Sequence, residues 1–587
     1  MSKFINKHRF LSLFICIFMC TTFSVCMFCT RSIPHVDEVW SYMLSNKTDS
    51  PFLYVPAIGI GEEPNDKVIY DVRETDSYKE YFNHWHDSNY YRKAITVQSE
   101  ERFSYDHVYH NQKLDVHPPL YYYILHTICS FFPDSFSWWY AFSINIAFYI
   151  GTLIMIFAIA NKLKLDTFYS IIAVLLWGLS ASGVNEICFL RMYMMLTFFI
   201  MCVTYLQICI MQHFALKYLI AIVIFDVLSF LTQYYAYIYI FFLTLFYIGY
   251  LLYKRKFLRA IFYGLTVLAS VGIAVLLFPE VYKHIFSDIY SSGVTYGKHP
   301  SVYQSFIDML KMVFEIYTGL NLDLFFIIPI IFIILFFGHI IILLIKLNKK
   351  ENLSVITPEK LSIAFRFIID VDKKYLHSFL KQIGNSYCKI ILLAVFSASI
   401  LIVNISPDMG KTTVRYLFLL LPLFSIFAVQ YSRIIFSFVF RNTKKLSKFI
   451  SSFVLLLCIV CVVGSHILTK SFFFLKEFGA NNDEFIKNFE DCSIILVDSS
   501  HHTQAITPIL MKTYSVYPAD TINDSLGSVI TNYDDINLNY FVVSSDKATK
   551  RIIERFLNNI DSLNYSYIGR YYFSIDYCDY YVFKIIN

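Results

Sequence analysis

From Leu11 to Thr30 the chain carries no charged side chain, and apolar runs of that kind recur along most of its length. About 20 such residues cross a hydrocarbon core as a helix, the form that satisfies its own backbone in lipid. No other feature narrows the fold so far. Of the 587 residues, 57% are hydrophobic and 16% charged, against about 45–50% and about 25% in soluble domains. A soluble enzyme, a disordered chain and a disulfide scaffold are excluded. The net charge is +5, without a long Lys/Arg block, so nucleic acid is not an expected partner. Most of the 13 Cys sit in apolar runs, where a thiol acts as a small hydrophobe. Cys492 and Cys578 fall in the polar tail and read either as a pair in an oxidising compartment or as two buried thiols. No metal-ligand cluster is visible; His501-His502 reads more readily as a solvated loop than as a metal site.

Lysine and arginine placement orients the runs. Lys3 to Arg9 is basic and is placed in the cytoplasm, so 11–30 crosses outward and 31–118 forms a polar outer loop. The run 120–132 is short, and Lys162 and Lys164 end the next, 138–160. Parity therefore makes 120–132 an interfacial helix. Further spans follow at about 168–183, 192–212, 218–232, 236–253, 259–278, 323–345, 388–404, 414–432 and 449–468, which makes 11 (10–13 at the limits), with every basic loop inside. The expected fold class is an α-helical polytopic membrane protein. The expected domains are 1–470, the membrane core, and 471–587, a small extracytoplasmic α/β domain with strand-like runs at 493–497, 540–544, 565–573 and 580–585 and helices near 503–513 and 547–559.

Several unusual clusters land on the outer side. Asp37 and Glu38 follow the first span and offer a general base, or simply a helix start. Asp115-Val116-His117-Pro118-Pro119 holds a histidine ahead of two backbone-fixing prolines; alone it also reads as a helix-start turn. Glu186 and Arg191-Met192-Tyr193 fall at the next outer turn, and Lys411 and Arg415-Tyr416 at the mouth of the 414–432 span. Arginine clamps phosphate bidentately, although a single Arg at a span end is more often an anchor. Two cations on an outer face run against the positive-inside bias and point to an anionic ligand. Together these groups suit a phosphate-bearing lipid substrate.

The order Asp37-Glu38, Asp115 to Tyr123, Arg191-Met192-Tyr193 and Arg415 to Pro422 resembles the GT-C glycosyltransferases of the protein O-mannosyltransferase and lipid A aminoarabinose transferase type, over about residues 10–435. The resemblance implies a polyprenyl-phosphate sugar donor, a glycan, lipid or protein acceptor bearing a hydroxyl, and inversion at the anomeric carbon. It implies Asp37 as catalytic base with Glu38 beside it, Arg191, Arg415, Lys411 and His117 on the donor phosphate, and Asp115, Tyr121, Tyr193, Tyr416 and Glu186 around the cavity. No cofactor is expected; a divalent cation is allowed but no motif requires it. Gln233 departs from the family, where a His often stands before the Tyr pair. The implied location is a bacterial inner membrane with the tail outside. Two other readings stay open: a transporter or flippase of an anionic lipid or metabolite, for which Asp226 is the clearest charge within a span, and a membrane-anchored sensor whose tail binds a ligand.

Overall fold

A computed structural model describes residues 7–31, 35–48, 76–286, 301–318, 386–406, 410–439 and 444–469, and in the tail 472, 489–498, 503–519, 538–544, 554, 557, 564–573 and 578–586. The first apolar run is α1 (Arg9–Cys29). The first loop then folds into α2 (Val36–Asn46), α3 (Asp76–Tyr81), the short strand β1 (His86–Asp87), α4 (Ser88–Lys93), α5 (Asp106–Leu114) and α6 (Leu120–Ser130). α6 has 11 residues, too few to cross a bilayer at about 1.5 Å each. Its first amide donates to the Leu231 carbonyl at 3.1 Å, which ties it to the bundle.

The bundle continues through α7 (Trp138–Lys162), α8 (Thr167–Gly178), α9 (Ala181–Cys188), α10 (Tyr193–Gln212), α11 (Leu216–Phe230), α12 (Tyr235–Tyr253) and α13 (Phe257–Leu277). After it come α14 (Val281–Phe286), α15 (Val302–Thr318), α16 (Ser386–Ile405), a 3-10 helix (Gly410–Leu420) running into α17 (Leu421–Val439), and α18 (Lys444–Thr469). α10 is the hub: 83% of its apolar window is buried, against 22% for α13, which shows lipid its Leu258, Phe262, Leu265 and Leu268. α10 packs on α7, α11 and the 3-10 helix, and α12 packs on α16.

This is an integral, multi-pass membrane protein. Among the described residues eight helices are long and apolar enough to cross, or nine if α8 and α9 form one broken span. The number is lower than the 11 expected, for reasons of length and continuity. The expected span 168–183 is the α8–α9 pair, bent by 57°. The span 218–232 is α11, whose 15 residues rise only about 22 Å. The span 323–345 lies outside the described residues, as do the basic stretch 346–385 and most of the expected helix 547–559.

The bend between α8 and α9 has identifiable causes. Asn145 and Tyr149 sit one turn apart on α7. Tyr149 donates to the Gly178 carbonyl at 2.7 Å, and Asn145 donates to the Ile187 and Phe189 carbonyls at 2.9 and 2.8 Å. Tyr149 thus takes up a backbone acceptor at the break, and Asn145 takes up two at the far end of α9, as a buried backbone requires. A Cβ on Gly183 would stand 2.5 Å from the Trp177 carbonyl oxygen. Gly183→Ala should therefore force the two helices apart and cost about 1–3 kcal/mol, read as a lowered midpoint in a thermal scan of the detergent-purified chain. An unchanged midpoint would show that the bend is not close-packed.

The tail carries β2 (Ser493–Asp498), α19 (Thr503–Leu510), β3 (Ser515–Ala519), β4 (Leu538–Ser544), β5 (Asn564–Phe573) and β6 (Cys578–Ile586) in a mixed sheet of order β1-β3-β2-β4-β6-β5. β2 runs parallel to β3 and β4, while β6 pairs antiparallel with β4 and β5. The edge strand β1 comes from the first loop and pairs antiparallel with β3, His86 opposite Val516. The Asn83 amide donates to the Pro518 carbonyl at 2.7 Å, and Trp85 lies 5.3 Å from the Tyr517 ring. α19 packs on α2 and α4, so the tail rests against the helix that carries Asp37 and Glu38. His501-His502 and the side chain of Cys578 lie outside the described residues.

Candidate active site

α2 starts immediately after the chain leaves the first span, and its start is built by a capping box. The His35 imidazole accepts from the Asp37 amide at 3.0 Å, and the Glu38 carboxylate accepts from the His35 amide at 2.6 Å. Such a reciprocal pair satisfies amides that a helix start leaves open. It also sends the two adjacent carboxylates in different directions.

Glu38 turns inward and is fully buried. Its Oε2 also takes the Arg31 guanidinium, and its Oε1 accepts from the Leu190 amide at 2.7 Å. Arg31 in turn donates to the Cys188 carbonyl at 2.5 Å. Glu38 therefore pins the end of α1, the start of α2 and the end of α9 to one another. The expected place of Glu38 beside the reacting groups is corrected here: its acceptor positions are occupied by structural donors.

Asp37 turns the other way, its side chain 24% exposed. Arg415 donates to its Oδ2 at 2.5 Å, and His35 Nδ1 lies 3.8 Å from the same oxygen. Burial alone would raise this carboxyl; the charge of Arg415, with that of Arg191 and those of His35 and His117 whenever these rings are protonated, outweighs it and holds the group well below the usual carboxylate range. Arg191 stands in the turn between α9 and α10 that Asn145 braces. Its Nη1 donates to the Asp37 carbonyl at 3.0 Å and to Ser41 Oγ at 3.4 Å, and its Nη2 faces His117 Nε2 at 3.3 Å. His117 Nδ1 meets Asp115 Oδ2 at 2.6 Å. Burial pushes the Asp115 carboxyl up; the charge of His117 when that ring is protonated, its hydrogen bond, and Arg191 behind them bring it below its ordinary value.

Five residues far apart in sequence, Asp37, Asp115, His117, Arg191 and Arg415, thus form one connected cluster at the end of the bundle. Tyr193 and Tyr416 border it. Arg415 Nη2 donates to the Tyr416 hydroxyl at 3.1 Å, and the Tyr416 ring stacks on Tyr235 at 4.6 Å and meets Tyr193 edge-on at 6.4 Å. Tyr121 is wholly buried beneath the cluster, and its expected place on the cavity rim is corrected to a packing place. Glu186 is fully buried in α9, with neither carboxylate oxygen hydrogen-bonded to any cluster member; α9 is buried along its whole length, and Glu186 lies beside Thr197. Lys411 lies at the start of the 3-10 helix, and its side chain is outside the described residues. Gln233 accepts from the next amide, of Tyr234, at 2.6 Å, a local cap without charge.

Sequence reading missed three members. His35 and Ser41 hold the cluster through α2, and only the capping pattern of His35 and Glu38 marks the first. His284, on α14, meets the Tyr234 hydroxyl at 2.8 Å and the Lys113 carbonyl at 3.4 Å. Burial lowers its imidazole, and the charges of both Asp115 and His117 act on it. No motif marks His284. Among the described residues no group of three or more His, Cys, Asp or Glu is spaced to hold a metal ion.

Chemically, the cluster offers one partly exposed carboxylate between two guanidiniums and a carboxylate-oriented imidazole. No protein-family model matches the chain, and no curated protein does. Among solved structures it is similar to ArnT from Cupriavidus metallidurans in the apo state, with 9% identity, 85% of this chain and 93% of that one covered, and a TM-score of 0.42. It is also similar to the Archaeoglobus fulgidus oligosaccharyltransferase in complex with Zn and sulfate, with 12% identity, 73% and 59% covered, and a TM-score of 0.25. At these identities and scores the two likenesses stand as likenesses and bear no further weight.

Proposed function

We propose that the chain is a membrane glycosyltransferase of the GT-C type. It moves a sugar from a polyprenyl-phosphate donor to a hydroxyl acceptor, a glycan, lipid or protein, on the extracytoplasmic face, with inversion. One observation carries the reading: the partly exposed Asp37 carboxylate lies against Arg415, with Arg191 on its backbone, at the end of a lipid-embedded bundle. A base beside one buried and one partly buried cation suits a reaction that removes a proton from one oxygen and leaves negative charge on a phosphate.

In the proposed step the acceptor oxygen attacks the anomeric carbon from the side opposite the phosphate. Asp37 receives the hydroxyl proton. The bond from the anomeric carbon to the phosphate oxygen breaks, and its electron pair leaves with the polyprenyl phosphate. Arg191 and Arg415 neutralise that charge, with Lys411 as a further cation. At rest Arg415 is spent on Asp37, so the arriving phosphate competes for it. As Arg415 turns to the phosphate, its hold on the carboxyl weakens and Asp37 becomes a stronger base.

Arg415→Gln removes one charge-assisted bond to the phosphate, worth about 1.5–3 kcal/mol. Binding of polyprenyl phosphate to the purified full chain should weaken by about 10–100-fold, the same energy as a ratio. Unchanged binding in both Arg415→Gln and Arg191→Gln would refute the phosphate site. The reaction itself is tested by supplying membranes with a labelled polyprenyl-phosphate sugar and following label into a hydroxyl-bearing acceptor.

A further inference from the structure

The hydrogen bonds around His117 favour one tautomer of its ring. A guanidinium only donates, so His117 Nε2, facing Arg191 Nη2 at 3.3 Å, is the accepting nitrogen. The proton of the neutral ring then sits on Nδ1 and donates to Asp115 Oδ2 at 2.6 Å. Pro118 and Pro119 follow directly and fix the backbone that carries the ring. The result is a carboxylate-oriented imidazole whose Nε2 lone pair is aimed into the cluster and held there by Arg191. That is the geometry of a base held in one tautomer by an acid partner, not of an imidazolium waiting for a phosphate.

Resting on the transferase reading above, we infer that the Asp115–His117 pair is a second, catalytic proton acceptor, and that His117 Nε2 is where the acceptor's proton comes to rest. Asp37 does not keep it: once the phosphate has left and Arg415 returns to the carboxylate, the protonated form is disfavoured and the proton moves on. His117 shares Arg191 with Asp37, since one guanidinium bonds the Asp37 carbonyl and the His117 ring. When the donor phosphate draws Arg191 away, Nε2 is uncovered on the side of the ring that faces the cluster.

The balance is complete. The acceptor oxygen forms its bond to the anomeric carbon, and the polyprenyl phosphate leaves with the electron pair of the broken bond. The hydroxyl proton passes from Asp37, through water, to His117 Nε2. The imidazolium so formed is stabilised by Asp115 and later gives its proton to water. The charged and titratable groups facing the ring are Asp115 on its own segment, Arg191 from the α9–α10 turn, Asp37 from α2 and His284 from α14.

The pH profile separates a base from a phosphate-binding cation. A base is lost as pH falls, so kcat should drop on the acid side. An imidazolium holding phosphate is lost as pH rises, so it would give the reverse slope. In the full chain, His117→Ala should lower kcat at saturating donor by about 100-fold or more and remove the acid limb. It should leave binding of polyprenyl phosphate within a few-fold, and added imidazole should restore part of the rate. Should His117→Ala not fold, His117→Gln keeps an acceptor for Arg191 and should show the same loss of kcat and of the acid limb. A fall in phosphate binding with kcat intact, a rate that rises toward acid, or a loss that imidazole does not rescue would overturn the inference. A wild-type chain that transfers no sugar, or an Asp37→Asn chain that transfers normally, would instead overturn the transferase reading on which it rests.

Discussion

Glu38→Ala is expected to prevent the chain from accumulating as folded protein, while a change at its neighbour leaves the fold intact. Glu38 is wholly buried and holds the Arg31 guanidinium, the His35 amide and the Leu190 amide together. Removing one partner of a buried ion pair strands the other charge and costs about 3–5 kcal/mol, a large part of the roughly 5–15 kcal/mol that holds a domain folded. Two unpaired amides add to the loss. Arg31→Ala should show the same defect, because it breaks the same pair from the other side. Size-exclusion of the detergent-extracted chain checks both. A sharp peak of wild-type yield for Glu38→Ala would show that these bonds do not hold α1, α2 and α9 together.

Asp37→Asn should do the opposite. Asparagine matches aspartate in shape, and its carbonyl oxygen still accepts from Arg415, so yield and thermal midpoint should stay near those of the wild type. Its amide takes up no proton at working pH. Loss of a positioned base lowers rate by about 10²–10⁴, and that loss should appear in kcat with donor saturating. A fall in yield instead would mean that Asp37 is a structural charge like its neighbour.

These contrasting expectations mark where sequence reading reached and where it stopped. Asp37, Asp115, His117, Arg191 and Arg415 were legible because each sits in a short motif at the edge of an apolar run. The structure joins them in one hydrogen-bonded cluster. Glu38 was legible as chemistry but not as direction. Adjacent residues on a helix point about 100° apart, so two neighbouring carboxylates rarely serve one site equally. Glu186 falls elsewhere for another reason: a hydropathy window reads α8 and α9 as one run and does not see the 57° bend, after which every residue of α9 is buried. His284 lies outside any motif and reaches the cluster only because α14 folds back to Tyr234 and Lys113.

In the tail the strand-like runs were recognisable by their alternating and β-branched residues, but β3 was not. Pro518 argues against a strand. It is tolerated because β1 pairs only at Ser515 and Val516, and the proline's carbonyl, not its missing amide, is used, accepting from Asn83. That β1 comes from the first loop, about 430 positions before β3, is a long-range pairing that no local pattern carries. It links the tail sheet to the loop that also carries α2.

The central claim is that Asp37 takes the acceptor's proton while a lipid phosphate departs. The most direct measurement supplies purified full-length chain with a polyprenyl-phosphate sugar and a hydroxyl acceptor, and follows released polyprenyl phosphate and glycosylated acceptor together. The account predicts equal amounts of the two from the wild type, and a loss of both by about 100-fold or more from folded Asp37→Asn. Equal transfer by wild type and Asp37→Asn would contradict it.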